Sequence, residues 1–374
     1  MGDAANMQHS VVIHPLLEGV GGSETVCLAT LKALYQNNHE VELLSSNISK
    51  SLLETHWADV FEHVSISRLR ALHPRPFDTY LRYLLMWIEI RRRVDTKPDF
   101  VLLTQELLPG LSKFRDSTKV LYVHFPRFHG LEDRGARFVS RGYLLPISRL
   151  IESQLNRIDQ VICNSEFTKS AVLRQWGNYG ISEPSVVYPP TLWSFNSSLQ
   201  WDERKDQVLC VGRLVPFKRH ELMKELAIQH PNIAFVSLGS YVKGHDAYAR
   251  DLLNESPPNF TVRLGVSQAE LARNYESSKL YVHLANEEHF GIAITEAMSA
   301  GCVVLAHDSG GPKEYLPREL LWTDIEDLKR KLQILLADRK TWTFWHQRCK
   351  EISQDYTFDS FSNKLMKILH GPLN

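Results

Sequence analysis

The chain has 374 residues, enough for two domains that each bury a core of their own. Lys+Arg and Asp+Glu both number 43, so no global field draws the protein to nucleic acid and any electrostatic function must be local. Hydrophobic residues make up 43% and charged residues 23%, the balance of a globular chain and not of a disordered one.

The five cysteines (Cys27, Cys163, Cys210, Cys302, Cys349) are scattered and none has metal-ligand spacing. They are expected as buried, reduced thiols of a cytosolic protein. The N-terminus lacks the apolar stretch of a signal peptide, and no run reaches the ~18 apolar residues of a membrane span. The expectation is a soluble cytoplasmic protein, or a peripheral one on a cytosolic membrane face.

In chain order, Val11 to His14 reads as a first strand and Ser23 to Gln36 as a helix, with the glycine-rich turn 18–24 between them. Such a turn suits an anion, because backbone can come close and helix amides face it. The dinucleotide fingerprint is half met: Gly19 and Gly21 fit, but Glu24 stands where a third glycine belongs. A turn that serves only packing is the alternative. Strands are expected at Val41–Ser45, Phe100–Thr104, Val120–His124 and Val161–Asn164, and a helix at Glu166–Trp176 with Ser165 as its cap. Between Val41–Ser45 and Phe100–Thr104 lies Arg68 to Arg93, with seven arginines against Asp78 and Glu89, interleaved with aromatic residues. It fits either an anionic membrane interface or an ordinary helix with a solvated arginine face. Arg134 to Arg157 adds a second basic stretch. His124 ends its strand where an open α/β sheet places a site; a satisfied structural histidine is the alternative.

Val186 to Tyr188 closes the first half, and 191–206, polar and without periodicity, is expected as a linker. The pattern then restarts with strand Val208–Val211 and a loop carrying Arg213 and Lys218, cations suited to phosphate or to plain solvation. A helix to about Gln229 follows, then strands Ala234–Leu238 and Thr261–Leu264, and Ser267 capping another helix. The densest stretch is 279–311: strand Leu280–Leu284, loop Asn286–His289, helix Phe290–Ala300 and strand Cys302–Ala306 before Ser309-Gly310-Gly311. That helix is apolar nearly all round, so it is expected to be buried. Its one charge, Glu296, therefore needs a donor-rich neighbour, in protein or ligand. Glu288 precedes it, serving either a site or the helix dipole. Three C-terminal helices complete the chain. The fold class is α/β, with two Rossmann-like domains: 1–190, joined by a C-terminal helix 356–374, and 207–355.

The spacing Glu288-x7-Glu296 resembles the E-x7-E motif of retaining family-four nucleotide-sugar glycosyltransferases, which have the GT-B fold of two domains facing across a cleft. EEHFGIAITEAMSAG with AHDSGGP, VHFP at 123–126, GGSE at 21–24 and VVYPP at 186–190 look like the cytosolic mannosyltransferases of lipid-linked oligosaccharide assembly. The resemblance implies that Glu296 holds the donor ribose and that Glu288 contacts the transferred sugar. It implies that amides of Phe290, Gly291 and Ile292 meet the diphosphate, and that Arg213 and Lys218 neutralise it as it leaves. It further implies that His124 lies near the reacting carbon and that Gly21 and Gly22 let the N-terminal loop close over the donor. The sequence departs from the family pattern at Arg219, which stands where a small residue usually follows the lysine. The chain holds no D-x-D, so no metal cofactor is expected. The implied function is transfer of mannose from GDP-mannose to a lipid-linked or glycan acceptor. A UDP-sugar enzyme with a soluble acceptor and a catalytically silent nucleotide-sugar-binding subunit are the alternatives.

Overall fold

Short apolar runs that alternate with helices favour parallel pairing, because a crossover returns the chain to the same end of the sheet. The computed structural model describes residues 7–17, 21–45, 47–48, 58–68, 78–93, 97–126, 149–193, 195, 198–242, 244–254 and 256–371. The chain divides into two compact units, Met1–Pro190 with Phe358–Asn374, and Thr191–Thr357.

The first unit carries β1 (Gln8–Ile13), β2 (Leu16–Leu17), α1 (Gly22–Gln36), β3 (His39–Ser45), β4 (Asn47–Ile48), α2 (Ala58–Glu62), β5 (Val64–Arg68) and α3 (Asp78–Arg93). It continues through β6 (Phe100–Leu103), β7 (Thr118–Val123), β8 (Gln160–Cys163), α4 (Glu166–Trp176) and β9 (Ser185–Val186). Its main sheet runs β5-β3-β1-β6-β7-β8-β9, parallel throughout. Leu16–Leu17 pairs separately with Asn47–Ile48. β5 is not foreseen from the sequence: its alternating V-S-I-S-R pattern belongs to a half-exposed edge strand.

The second unit has β10 (Lys205–Val211), α5 (Glu221–Gln229), β11 (Ala234–Gly239), α6 (Asp246–Leu253), β12 (Phe260–Leu264), α7 (Gln268–Ser277), β13 (Ser278–His283) and α8 (Ile292–Ser299). It ends with β14 (Val303–His307), β15 (Leu321–Trp322), α9 (Ile325–Ala337) and α10 (Arg339–Ser353). The last helix, α11 (Phe358–His370), returns to the first unit, where it packs on α1. The second sheet runs β12-β11-β10-β13-β14-β15, again parallel throughout.

Both sheets share one topology. Each grows outward to one side from its first strand, then reverses and grows to the other, which is the doubly wound order. The reversal points lie between β1 and β6 and between β10 and β13. Ligands of such sheets bind beyond the strand C-termini at this switch. The loops after β1, β6, β10 and β13 are thereby singled out, before any residue in them is considered.

The 191–206 segment, expected as a linker, is tied to the second unit at several side chains. Thr191 forms a bridge with Thr357, and its hydroxyl lies 3.0 Å from that of Thr295. Phe195 packs edge-on against Tyr275, and Trp201 against Trp342, with the Lys279 ammonium 3.5 Å from the Trp201 ring centre. In α3, Met86 and Ile90 join the core of the first unit while Leu84, Arg91 and Arg92 are exposed. The expectations on 69–77 and 127–148, and on Gly19, lie outside the described residues. All five cysteines are buried free thiols, each pushed up to about 12 by burial.

Candidate functional site

In the second unit, the loop after β10 drops from Gly212 into a single tight turn at Pro216–Lys218. Gly239 admits this path: a Cβ there would lie 2.3 Å from the Gly212 carbonyl oxygen. Leu214 and Val215 are buried and pin the loop, leaving Arg213 exposed with its guanidinium 5.9 Å from the Phe217 ring centre. Lys218 turns inward.

Its partner comes from the loop after β13. Lys218 Nζ lies 2.5 Å from Glu288 Oε2, and both side chains are largely covered, 17% and 16% exposed. His283, the last residue of β13, places Nε2 2.8 Å from the same oxygen. The His289 amide donates to Glu288 Oε1 at 3.2 Å. Burial alone would raise the Glu288 pKa, but the Lys218 charge and the His283 hydrogen bond together hold it well below the usual carboxylate range. Burial, reinforced by Lys218, lowers His283 despite Glu288. His283 is therefore neutral, and its Nε2–H donates to the carboxylate.

The backbone around Glu288 is set by what lies beneath it. A Cβ on Gly310 would lie 2.3 Å from the Glu288 carbonyl oxygen, and one on Gly311 2.3 Å from that of His289. The Gly311 amide donates to Glu288 O at 2.8 Å, and the Tyr315 hydroxyl to Phe290 O at 2.7 Å. The Phe290 ring is buried against Tyr315 and Tyr356. The helix expected from Phe290 begins instead at Ile292. Gly291 caps it with φ 94, a left-handed backbone that keeps Phe290 and Gly291 out of the helical turn. The leading amides of α8 have no intrahelical acceptor and carry the positive end of the helix dipole.

Glu296, in α8, is not paired with an arginine. Trp193 Nε1 donates to its Oε1 at 3.0 Å and the Tyr275 hydroxyl to its Oε2 at 3.1 Å. Burial pushes its pKa up to about 7 against the pull of these two bonds. Each carboxylate oxygen keeps a second lone pair for a further donor.

The first unit has a different group at its own switch point. Thr104, just past β6, accepts at its carbonyl from His124 Nε2 at 2.9 Å, and its hydroxyl lies 3.0 Å from His14 Nδ1. A carbonyl can only accept, so the His124 proton sits on Nε2 and Nδ1 is an acceptor. Burial brings His124 down to about 4 and His14 to about 3, the latter helped by His124. A cavity of about 90 Å³ adjoins, lined in part by His124, Phe125, Tyr122 and Trp176. Gly21 caps α1; a Cβ there would lie 2.6 Å from the Glu24 carboxylate, and Gly22 opens the helix. Ser165 caps α4 by accepting from the Thr168 amide at 3.0 Å, which accounts for it.

The structure thus brings Lys218 and Glu288 into contact, adds His283, and surrounds Glu296 with Trp193 and Tyr275. None of these three partners is singled out by the sequence. His283 shares with His124 a signal that could have found it, a polar residue ending an apolar strand. Trp193 sits in an aperiodic segment, 103 residues from its partner, and carries no such signal.

A family model described as Glycosyltransferase Family 4 matches residues 20–191, and one described as Glycosyl transferases group 1 matches residues 193–352. The GDP-Man:Man(3)GlcNAc(2)-PP-Dol alpha-1,2-mannosyltransferase of Xenopus tropicalis is 26% identical over 51% of this chain and 46% of its own length. The chain thus spans about half of that relative. Alpha-1,3/1,6-mannosyltransferase ALG2 of Saccharomyces cerevisiae is 24% identical over 81% of this chain and 70% of its own length. Among solved structures, sucrose-phosphate synthase of Thermosynechococcus elongatus superposes with a TM-score of 0.77 at 17% identity, covering 96% of this chain and 98% of that one. With two doubly wound parallel sheets and family models across both, the chain belongs to the family-four glycosyltransferases and has the GT-B fold.

Proposed function

We propose that the chain is a retaining hexosyltransferase that moves mannose from GDP-mannose onto a lipid-linked or glycan acceptor. The observation that carries this reading is the Lys218–Glu288–His283 cluster at the switch point, beside the start of α8. The hard step in such a transfer is departure of the diphosphate while positive charge builds at the anomeric carbon. Preorganised charges and dipoles aimed at those centres are usually the largest catalytic contribution.

Each residue then has a role. Glu296 accepts the ribose hydroxyls on its remaining lone pairs. The amides of Phe290, Gly291 and Ile292, just ahead of and at the start of α8, seat the diphosphate. Arg213 and Lys218 meet the charge that develops on the departing phosphate oxygen. Glu288, ionised and fixed, accepts sugar hydroxyls and steadies the positive sugar. His124 offers Nδ1 as an acceptor to a hydroxyl. The bond from C1 to phosphate oxygen breaks, the acceptor oxygen attacks on the same sugar face, and its proton passes to the leaving phosphate. No metal is needed, because the cations and amides supply the neutralisation.

The membrane reading attaches to residues 68–93, where α3 exposes Leu84, Arg91 and Arg92. Among the described residues, no helix is long and apolar enough to cross a membrane.

A thermal-shift panel of GDP-, UDP- and ADP-sugars tests the donor: selective stabilisation by GDP-mannose is expected, and selective stabilisation by another donor would overturn that choice. Transfer should survive EDTA; its loss refutes the metal-free step. Binding to anionic vesicles and not to neutral ones is expected of a peripheral protein, and indifference to both removes the membrane reading.

A further inference from the structure

Among the described residues, three that are not glycine have positive φ: Asn38, Arg219 and Glu287. Asn38 ends the turn after α1, an ordinary place for asparagine. The other two flank the ion pair directly. Arg219 (φ 56) follows Lys218, and Glu287 (φ 50) precedes Glu288. A side chain in this region is disfavoured and persists only where the surroundings hold it.

What holds them is visible. Arg219 Nη1 donates to Asn286 Oδ1 at 2.6 Å, and its guanidinium lies 5.9 Å from the Trp322 ring centre. The Glu287 amide donates to Ser309 Oγ at 2.7 Å, and that oxygen lies 2.7 Å from His307 Nδ1. His307 in turn meets Trp322 edge-on at 4.6 Å. The loops after β10, β13 and β14 are joined through these contacts, and on the β10 side Arg219 adds its bond to Asn286 to the Lys218–Glu288 pair. Its guanidinium is spent on Asn286 and Trp322, unlike that of exposed Arg213.

We propose that Arg219 is a positioning residue: its tie to Asn286 fixes the β10 loop against the β13 loop and so sets how Lys218 meets Glu288. Its kinetic consequence rests on the transferase reading above; the tie itself does not. Glycine at this position would relax the backbone but remove the tie, so stability and activity should move apart.

The experiment compares Arg219→Gly, Arg219→Lys, Asn286→Ala and the double variant Arg219→Gly/Asn286→Ala. Arg219→Gly should melt no lower than wild type. Its amides over 284–291 should nevertheless exchange faster with deuterium, and kcat should fall about tenfold with donor KM within about twofold. Asn286→Ala should do the same, and the double variant should be no worse than Arg219→Gly, because the tie is already gone. Arg219→Lys should recover part of the loss. Wild-type exchange over 284–291 in Arg219→Gly, or single effects that multiply in the double variant, would overturn the proposal. A fall in kcat without faster exchange also overturns it, since Arg219 would then act on substrate. A wild type inactive with every nucleotide sugar sinks the transferase reading, while the exchange measurement still decides the tie.

Discussion

The two units solve one problem in opposite ways. Each places polar side chains at the switch point of a doubly wound sheet, where water is scarce. The first keeps its group neutral: His14 and His124 lose their protons to burial and are joined through Thr104. The second keeps its group charged: Glu288 stays ionised because Lys218 and the Nε2–H of His283 converge on one of its oxygens. A neutral group can accept and donate hydrogen bonds to hydroxyls without perturbing a reacting charge. A held ion pair can oppose the charges of bond cleavage with little reorganisation. In the proposed transfer, this contrast suits leaving-group chemistry in the second unit and hydroxyl recognition in the first.

The largest expected effect comes from breaking the pair. Lys218→Ala should cost about 10²–10³-fold in kcat, read by steady-state transfer. It should also raise the His283 pKa, since Lys218 now helps to lower it, and add an acid-side feature to the pH profile. Turnover near wild type would remove Lys218 from the reaction.

Gly310→Ala attacks the floor beneath Glu288. Its φ of 71 and ψ of −155 are glycine territory, and the new methyl would press on backbone, which cannot swing aside. A loss of about 2–4 kcal/mol in unfolding free energy is expected from denaturant titration. An unperturbed midpoint would mean that the loop is free to move.

Glu296→Gln sharpens the comparison, because Glu296 is a half-buried carboxylate in the second unit with no cation among its hydrogen-bond donors. Its folded pKa, about 7, lies above the ordinary value of 4.5. Its contribution to stability is therefore full below 4.5 and lost as pH rises through 7. Wild type should lose stability over that window and Glu296→Gln should not, while donor affinity of the variant falls by about 10- to 100-fold. Parallel melting curves across pH 5 to 8 would show that Glu296 is not desolvated.

The last effect lies in the first unit and is confined to acid pH, away from the working range of the site. His14 and His124 have depressed folded pKa values, so their contribution is present above 6.5 and lost as pH falls toward 4 and 3. His14→Gln should flatten the acid side of the stability profile. A wild-type acid limb in this variant would place the titrating groups elsewhere.

Much of this was legible beforehand, for physical reasons. Strands buried on both faces are plain apolar runs, so β6, β7, β13 and β14 stand out, whereas edge strand β5 is half polar and does not. Helix caps are local, so Ser165 and Ser267 mark α4 and α7 to the residue. α8 starts two residues later than the apolar pattern suggests because Gly291 takes a left-handed backbone with φ 94, and an apolar run does not reveal which of its glycines will do so. The partners of Glu296 were invisible because they are tertiary: Trp193 and Tyr275 come from a crossover segment and a different helix. Arg219 stood out as a departure from a pattern, but only its backbone angle and its bond to Asn286 give the departure a meaning.

The close seating of Gly310 and Gly311 under residues 288–290 also constrains chain length. These two short segments touch backbone to backbone, yet a helix and a strand separate them along the chain. One residue added or deleted anywhere in 292–309 would have to be absorbed before the chain returned to this contact. The span is closed at both ends, and an insertion there, even at the far tip of α8, would be felt at Glu288. Loops that tolerate length variation must be sought outside this circuit.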